Sequence, residues 1–238
     1  MHDSMPQSDG FTLGKCVVIL SGGLDSSTLA YYLVDRGWEP HALTFRYGQK
    51  HEKEIQYATK IVQNLGIPHY IVNLDSLQPL LNNSSLIQGS NQAIPRLESP
   101  KQRTLAVLEK TVVPFRNGIF LAIATGYASN IGAGSIFYGA HFSDYAVYPD
   151  CRPEFVHLFE KAIQAGTDSQ ILLKAPFVHM SKAQVLNVGA QLSVPFADTW
   201  SCYKGEKIHC GVCPSCIERK KAFLEGRLDD PTEYARRL

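Results

Sequence analysis

The feature that most constrains this chain is the alternation, in its first third, of short β-rich runs with helical periodicities. Cys16 to Leu20 is an apolar run rich in β-branched residues, and a Ser-Gly-Gly turn follows it. From Asp25 to Arg36, Leu29, Tyr32 and Leu33 recur at helical spacing, and Gly37 marks the stop. His41 to Tyr47 reads as a second strand and Tyr70 to Leu74 as a third. Between them, His51 to Leu65 reads as a helix with Ile55, Ala58, Ile61, Val62 and Leu65 on one face. Strands separated by helices imply parallel neighbours joined by crossovers. The expected fold class is therefore α/β, a doubly wound parallel sheet with helices on both faces.

Asp75 to Arg103 interrupts the pattern with a polar stretch punctuated by Pro79, Pro95 and Pro100. A segment of this length inside a compact domain is usually a lid, a binding loop or disordered, and 75–113 is expected to be a lid or flexible loop. Asn117 to Ser129 reads as a small-residue helix that can approach the sheet through Gly118, Ala122, Ala124 and Gly126. Ser135 to Gly139 reads as a fourth strand. Pro153 suits the first turn of a helix whose buried face is Phe155, Leu158, Phe159 and Ala162. Ser181 with Gln184 forms a capping-box pattern that opens a helix to Leu192. The expected division is a nucleotide-binding domain over 15–196 and a cysteine-bearing appendage over 197–238 that ends in a charged helix.

Composition narrows the function. Among 238 residues, 23 Lys+Arg face 22 Asp+Glu. A formal charge of +1 disfavours a chain that coats nucleic acid or an anionic membrane through bulk charge. No apolar run approaches the roughly 18 residues that span a bilayer. Met1 to Gly10 is polar and lacks a signal-peptide pattern, so a cytoplasmic protein is expected.

Ser21-Gly22-Gly23-Leu24-Asp25-Ser26-Ser27 stands between the first strand and its helix, at the carboxyl end of the strand, where doubly wound sheets bind ligands. The two glycines let the backbone approach an anion. The hydroxyls of Ser21, Ser26 and Ser27, with amides at the helix start, can donate to phosphate oxygens. Asp25 is ill suited to bare phosphate and suits a Mg²⁺ ion between phosphates. A serine-capped glycine turn with no ligand is the alternative. Two similar strings, Gly10 to Lys15 and Gly132-Ala133-Gly134, precede their strands and carry no such reading.

Cys202, Cys210, Cys213 and Cys216 fall at C-x7-C-x2-C-x2-C. Overlapping C-x2-C pairs close chelate turns, and Cys202 can complete a tetrahedral four-thiolate site. Zinc is favoured over an iron–sulfur cluster, whose fourth cysteine usually follows the triplet. His209 can replace one thiolate but reads as a flanking surface residue. Cys16, on a buried strand, reads as packing.

The SGGLDSS string after a first strand resembles the pyrophosphate-binding loop of the PP-loop ATP pyrophosphatases, whose fold is adenine nucleotide alpha hydrolase-like. Those enzymes cleave ATP between its α and β phosphates and adenylate a substrate oxygen. Further strings sharpen the likeness: Tyr47-Gly48-Gln49-Lys50-His51, Val113-Pro114-Phe115-Arg116-Asn117, Tyr148 to Phe155, and Thr199-Trp200-Ser201-Cys202-Tyr203. With the cysteine cluster they resemble the 7-cyano-7-deazaguanine synthase family of queuosine biosynthesis, over about Lys15 to Phe223. Two places depart from that pattern: Phe115 stands where a glycine is expected, and Ala146-Val147 where Ser-Gly is expected.

The resemblance implies an ATP-dependent ligase acting on 7-carboxy-7-deazaguanine, ammonia and two ATP, with Mg²⁺ and Zn²⁺, no stable nucleic-acid partner, no membrane and a homodimer. It implies that Leu20, Ser21, Gly22, Gly23, Leu24, Asp25, Ser26, Ser27, Thr28, Leu29 and Ala30 hold the nucleotide, with Asp25 on the metal. Lys182 is the candidate to neutralise pyrophosphate, and Arg116 to clamp a phosphate or carboxylate. Asn117, Asp144, Tyr145, Asp150, Arg152 and Glu154 are the candidate substrate contacts. The acids among them can accept N–H groups of a guanine-like base or ammonia's proton, or can complement a helix dipole instead. Tyr145, Tyr148 and Phe155 can stack on the base, although Phe155 also suits the core. His51 can contact nucleotide, but its charged neighbours read as a solvated helix start. Cys151 is the one cysteine near the site free of metal duty, and it keeps a rival open, a tRNA sulfur-transferase of the same superfamily. A relative that adenylates a different carboxylate is the other rival.

Overall fold

The computed structural model describes residues 14–236, and the polar stretch Met1–Gly10 lies outside them. In chain order the elements are β1 (Lys15–Ile19), α1 (Leu24–Asp35), β2 (Glu39–Arg46), α2 (Lys53–Leu65), β3 (His69–Asn73), the short α3 (Gln78–Leu81) and α4 (Leu105–Glu109), α5 (Arg116–Ile131), β4 (Ser135–Phe137), α6 (Pro153–Thr167), β5 (Leu172–Lys174), α7 (Lys182–Gln191) and α8 (Pro214–Gly226). The five strands form one sheet in the order β3-β2-β1-β4-β5, and every pairing is parallel. This is the doubly wound α/β arrangement that the alternation predicts.

Strand alternation divides the core in two. Val17, Leu43, Phe45, Ile136 and Leu173 face α5 and α6 through Leu121, Ala124, Ala128 and Ile163. Cys16, Val18, Leu20, Ala42 and Phe137 face the opposite way, onto Leu29 and Leu33 of α1, Ile61 of α2, Val185 and Leu186 of α7, and Phe223 of α8. Cys16 thus packs, as its strand position suggests. Each fully buried aliphatic or aromatic side chain contributes about 1.5–3 kcal/mol by leaving water. Among the described residues no helix is long and apolar enough to cross a membrane.

The strand order reverses between β1 and β4, and ligands of open α/β sheets bind outside the carboxyl ends of the strands at such a point. One glycine makes the junction possible: Gly22 has φ +76°, and a Cβ there would collide with the Glu54 carbonyl oxygen of α2. Past the end of β4, Gly139 lies in van der Waals reach of the Asp25 and Ser26 backbone, so the two loops pack against each other. The capping box also forms: Ser181 Oγ accepts from the Gln184 amide, and Gln184 Oε1 accepts from the Ser181 amide at 2.7 Å.

Several expectations shift. The sheet has a fifth strand, Leu172–Lys174, too short for its alternation to stand out in the sequence. On α6, Leu158 is exposed and Ala162 faces solvent, while Val156 and Ile163 face the core. The two stripes share Phe155 and Phe159 and differ by about one residue of helix rotation, which a 3.6 period does not separate. On α5 the close approach to the sheet uses Ala124 and Ala128, while Gly118 makes room for the Phe115 ring and Ala122 and Gly126 are exposed. The polar segment before α5 is anchored by buried Leu81, Leu86, Ile87 and Leu97, and the Leu97 amide donates to the Val212 carbonyl at 2.8 Å.

The C-terminal segment is tied to the main body through α8. Fully buried Arg219 donates to Thr199 Oγ1 (2.8 Å), Ser201 Oγ (3.2 Å), Thr232 Oγ1 (2.7 Å) and the Phe196 carbonyl (2.8 Å). Asp230 lies 3.6 Å from its Nε.

Candidate active site

A cavity of about 220 Å³ opens at the β1–β4 switch point. Its floor is the loop after β1. Gly23, in extended conformation, begins α1 without a side-chain cap, which leaves the first helical amides for a ligand. The serines shape this loop: the Ser21 and Ser26 hydroxyls lie 3.0 Å apart, the Ser21 amide donates to Ser26 Oγ, and the Gly23 amide donates to Ser21 Oγ. The Trp200 amide donates to the Gly22 carbonyl at 2.8 Å, so the segment leading to the cysteines also fixes the loop. Leu20, Ser21, Gly23, Leu24, Asp25 and Ser26 line the cavity. Gly22 packs under α2, while Leu29 and Ala30 are core residues of α1. The hydroxyls of Ser27 and Thr28 are buried without hydrogen-bond partners.

One wall is a network of charges from five separate segments. Lys182 Nζ, at the start of α7, lies 2.8 Å from Asp25 Oδ2 and 3.5 Å from Glu218 Oε2. Arg103 Nη2 lies 2.8 Å from Glu218 Oε1. His141 Nε2 lies 3.6 Å from Asp25 Oδ1 and 3.4 Å from Asp144 Oδ2. Burial opposes the Asp25 charge, but Lys182 and His141 together outweigh it and hold this carboxyl well below the usual carboxylate range. Burial raises the Asp144 carboxyl to about 6 despite His141. His141 reaches about 8, because Asp144 and Asp25 overcome its burial. Asp25 Oδ1 is buried with His141 Nε2 no closer than 3.6 Å, which leaves its lone pairs open to a cation.

The other wall is α2 with the start of α5. His51, in the turn before α2, and Glu54, in its first turn, line it, with His51 Nε2 3.3 Å from Glu54 Oε2. Gln49 Nε2 donates to Glu54 Oε1 at 3.1 Å. Burial raises the Glu54 carboxyl to about 7 against the pull of Arg116, and burial with Arg116 lowers His51 to about 3. Arg116 Nη1 donates to the Tyr47 hydroxyl at 3.3 Å. His51 is therefore no solvated helix start: it is 4% exposed, because the helix begins at Lys53 and the turn before it folds inward.

The remaining candidates separate. Asp144, Tyr148, Asn117 and Cys151 line the cavity. Asp150 accepts the Asn117 amide at 2.9 Å, serving the start of α5. Tyr145, Arg152 and Glu154 line a separate surface groove, where Arg152 Nε donates to the Tyr145 carbonyl at 3.0 Å and the Tyr145 hydroxyl to the Val178 carbonyl. Phe155 packs against the core and edge-on to Phe115. Phe115 adopts φ +52°, a left-handed conformation that explains why a glycine would suit this position. Its ring is 59% exposed and outside the cavity, and Val147 is buried outside it too. Cys151 is buried, accepts from Asn117 Nδ2 at 3.3 Å, and has its thiol pushed up by burial and by Asp144 and Asp150. A protonated, buried thiol is a poor nucleophile.

The cysteine cluster forms a closed centre. The sulfurs of Cys202, Cys210, Cys213 and Cys216 all lie within 4.8 Å of one another and are buried. Thiolates around a tetrahedral zinc at 2.3 Å stand about 3.8 Å apart, and Cys210 Sγ to Cys216 Sγ is 3.9 Å. The donor set and its spacing fit that ion. His209 is not on the surface as its sequence position suggests. Its ring packs at a tilt of 41° against Trp200, centroids 4.2 Å apart, its Nε2 accepts the Ser201 amide at 3.1 Å, and burial lowers it to about 4.

Sequence reasoning gave no role to His141, Glu218 and Arg103, quoted Tyr47 only within its string, and read Glu54 among the charged residues of a solvated helix start. His141 follows the fourth strand, the position expected for a ligand contact at a switch point. Glu218 follows Cys216 by two residues, and nothing in that spacing reveals a role.

Comparison with known proteins identifies the family. The family described as "Queuosine biosynthesis protein QueC" matches residues 15–227. The 7-cyano-7-deazaguanine synthase of Methanoregula boonei is 44% identical over 92% of this chain and 99% of its own. That of Archaeoglobus fulgidus is 44% identical over 91% and 89%, and that of Marinobacter nauticus 40% over 92% and 97%. The chain therefore belongs to the queuosine biosynthesis protein QueC family.

Proposed function

We propose that this enzyme converts 7-carboxy-7-deazaguanine and ammonia to 7-cyano-7-deazaguanine, consuming two ATP. The observation that carries the reading is the meeting of the phosphate loop with the Asp25–Lys182 pair in one cavity. A carboxylate oxygen leaves poorly, so it attacks the α-phosphorus and pyrophosphate departs. Ammonia then attacks the acyl carbon, AMP leaves and an amide remains. The amide oxygen is adenylated in turn, and loss of AMP with a proton leaves the nitrile. No enzyme nucleophile is needed. Positioning and charge stabilisation carry the rate.

In this scheme the loop from Leu20 to Ser26 holds the phosphates, and the Lys182 ammonium faces the departing pyrophosphate. Asp25 Oδ1, approached by His141 Nε2 only at 3.6 Å, would hold Mg²⁺, which offsets phosphate charge when bound. Zinc at the four cysteines would be structural, since four thiolates leave no open position. Asp144, raised to about 6, is poised to take a proton as ammonia adds. Arg116 faces the substrate from the opposite wall. On the same reading the enzyme works in the cytoplasm on small molecules rather than nucleic acid, as a homodimer. Burial of Cys151 argues against the sulfur-transfer rival. Supplying ATP, Mg²⁺, ammonia and the carboxylate should yield two AMP per nitrile by mass spectrometry. Pyrophosphate release with no amide or nitrile would defeat the reading.

A further inference from the structure

The wall formed by α2 sets hydrogen-bond acceptors beside the Arg116 guanidinium, which holds charge on Glu54 against burial, and apart from the Asp25–Lys182 network. Glu54 offers about four lone-pair sites, of which Gln49 and His51 use two. The Gln49 amide cannot turn over: its Oε1 accepts the Tyr47 amide at 2.8 Å, and its Nε2 also donates to the Phe45 carbonyl at 2.9 Å. It therefore presents a donor to Glu54 and fixes that carboxylate. His51 Nδ1 is a further polar atom, buried and unpartnered, on a cavity-lining side chain 4% exposed. When His51 donates its Nε2–H to Glu54, Nδ1 is left as a bare acceptor.

A wall with these vacant acceptor sites suits a ring edge bearing several N–H groups. A deazaguanine carries N1–H, a 2-amino group and a pyrrole N–H. The adenine edge of ATP mixes one amino group with ring acceptors and matches less well. The substrate's carboxylate must meet the α-phosphate at the Ser21–Ser26 loop, which leaves the far edge of the ring for another wall.

We propose that Glu54, with His51 Nδ1 beside it, reads the N1–H and 2-amino edge of the substrate base and so determines which base is accepted. This inference rests on the reaction proposed above. It makes Glu54 a specificity-determining residue, with Gln49 as the residue that positions it.

The test compares 7-carboxy-7-deazaguanine with its 2-oxo and 2-desamino analogues at saturating ATP and ammonia. The unmodified enzyme should prefer the 2-amino substrate by about 10- to 100-fold in kcat/KM, the range of one good bidentate pair. In Glu54→Gln, Gln49 should hold the new amide oxygen, and the new nitrogen donates to His51 Nε2, which moves the imidazole proton to Nδ1 and so presents N–H donors matching a 2-oxo base. The preference should then invert, while the KM for ATP stays unchanged. Equal rates on all three bases by the unmodified enzyme would overturn the proposal, even if the variant does not fold. A shifted ATP KM with unaltered base preference would also overturn it, assigning the wall to adenine. Failure of the unmodified enzyme to form nitrile from 7-carboxy-7-deazaguanine would defeat the reaction itself. Nitrile formation without base discrimination defeats only this inference.

Discussion

Lys182 Nζ sits 2.8 Å from Asp25 Oδ2, joining the first turn of α7 to the first turn of α1 across the carboxyl ends of β1 and β4. Neither residue rests on this contact alone, since Lys182 also reaches Glu218 and Asp25 approaches His141. Removing one partner should leave the fold intact and disable the chemistry. Lys182→Met should lower kcat for AMP formation by about 100- to 1,000-fold, the usual cost of deleting one group that stabilises transition-state charge. Asp25→Ala should abolish AMP formation, with an unchanged circular dichroism spectrum. Retained turnover in either variant would remove that residue from its role.

The α/β class was legible because hydrophobic periodicity and glycine stops report local structure. The phosphate loop and the cysteines were legible because each is a short string with its own chemistry. The charge network was not. Asp25, Arg103, His141, Lys182 and Glu218 come from five segments, and only the strand order β3-β2-β1-β4-β5 assembles them. The separate positions of Tyr145, Arg152 and Glu154 reflect the same limit: proximity in sequence to Asp144 does not aim a side chain at the cavity.

His141 makes stability depend on pH. Its folded value of about 8 exceeds the ordinary 6.5, so its contribution is fully present below pH 6.5 and is lost as pH rises through about 8. Asp144, at about 6, titrates mainly below that window. The unfolding free energy lost in His141→Gln should therefore be larger at pH 6.5 than at pH 9, measured by urea denaturation. A pH-independent difference would mean that His141 is not paired as a cation.

Arg219 is fully buried with four hydrogen-bond acceptors and Asp230 nearby. Arg219→Met removes the donor these groups share and leaves Asp230 without its buried cation, and should destabilise the protein by about 3–5 kcal/mol. A change below 1 kcal/mol in chemical denaturation would show that the tail is not held as described.

Metal analysis should find one zinc per chain and no visible absorption. Cys213→Ser should lose the zinc and lower the thermal midpoint, because metal binding free energy is folding free energy at such sites. Iron with a brown colour would replace the zinc assignment and revive the sulfur-transfer rival.

The most direct measurement uses 7-carboxy-7-deazaguanine with both carboxylate oxygens replaced by ¹⁸O. If each oxygen in turn attacks the α-phosphorus and leaves with AMP, two AMP form per nitrile and each carries one ¹⁸O. Unlabelled AMP, or label released to water, would contradict adenylation of the substrate and with it the central assignment of this cavity.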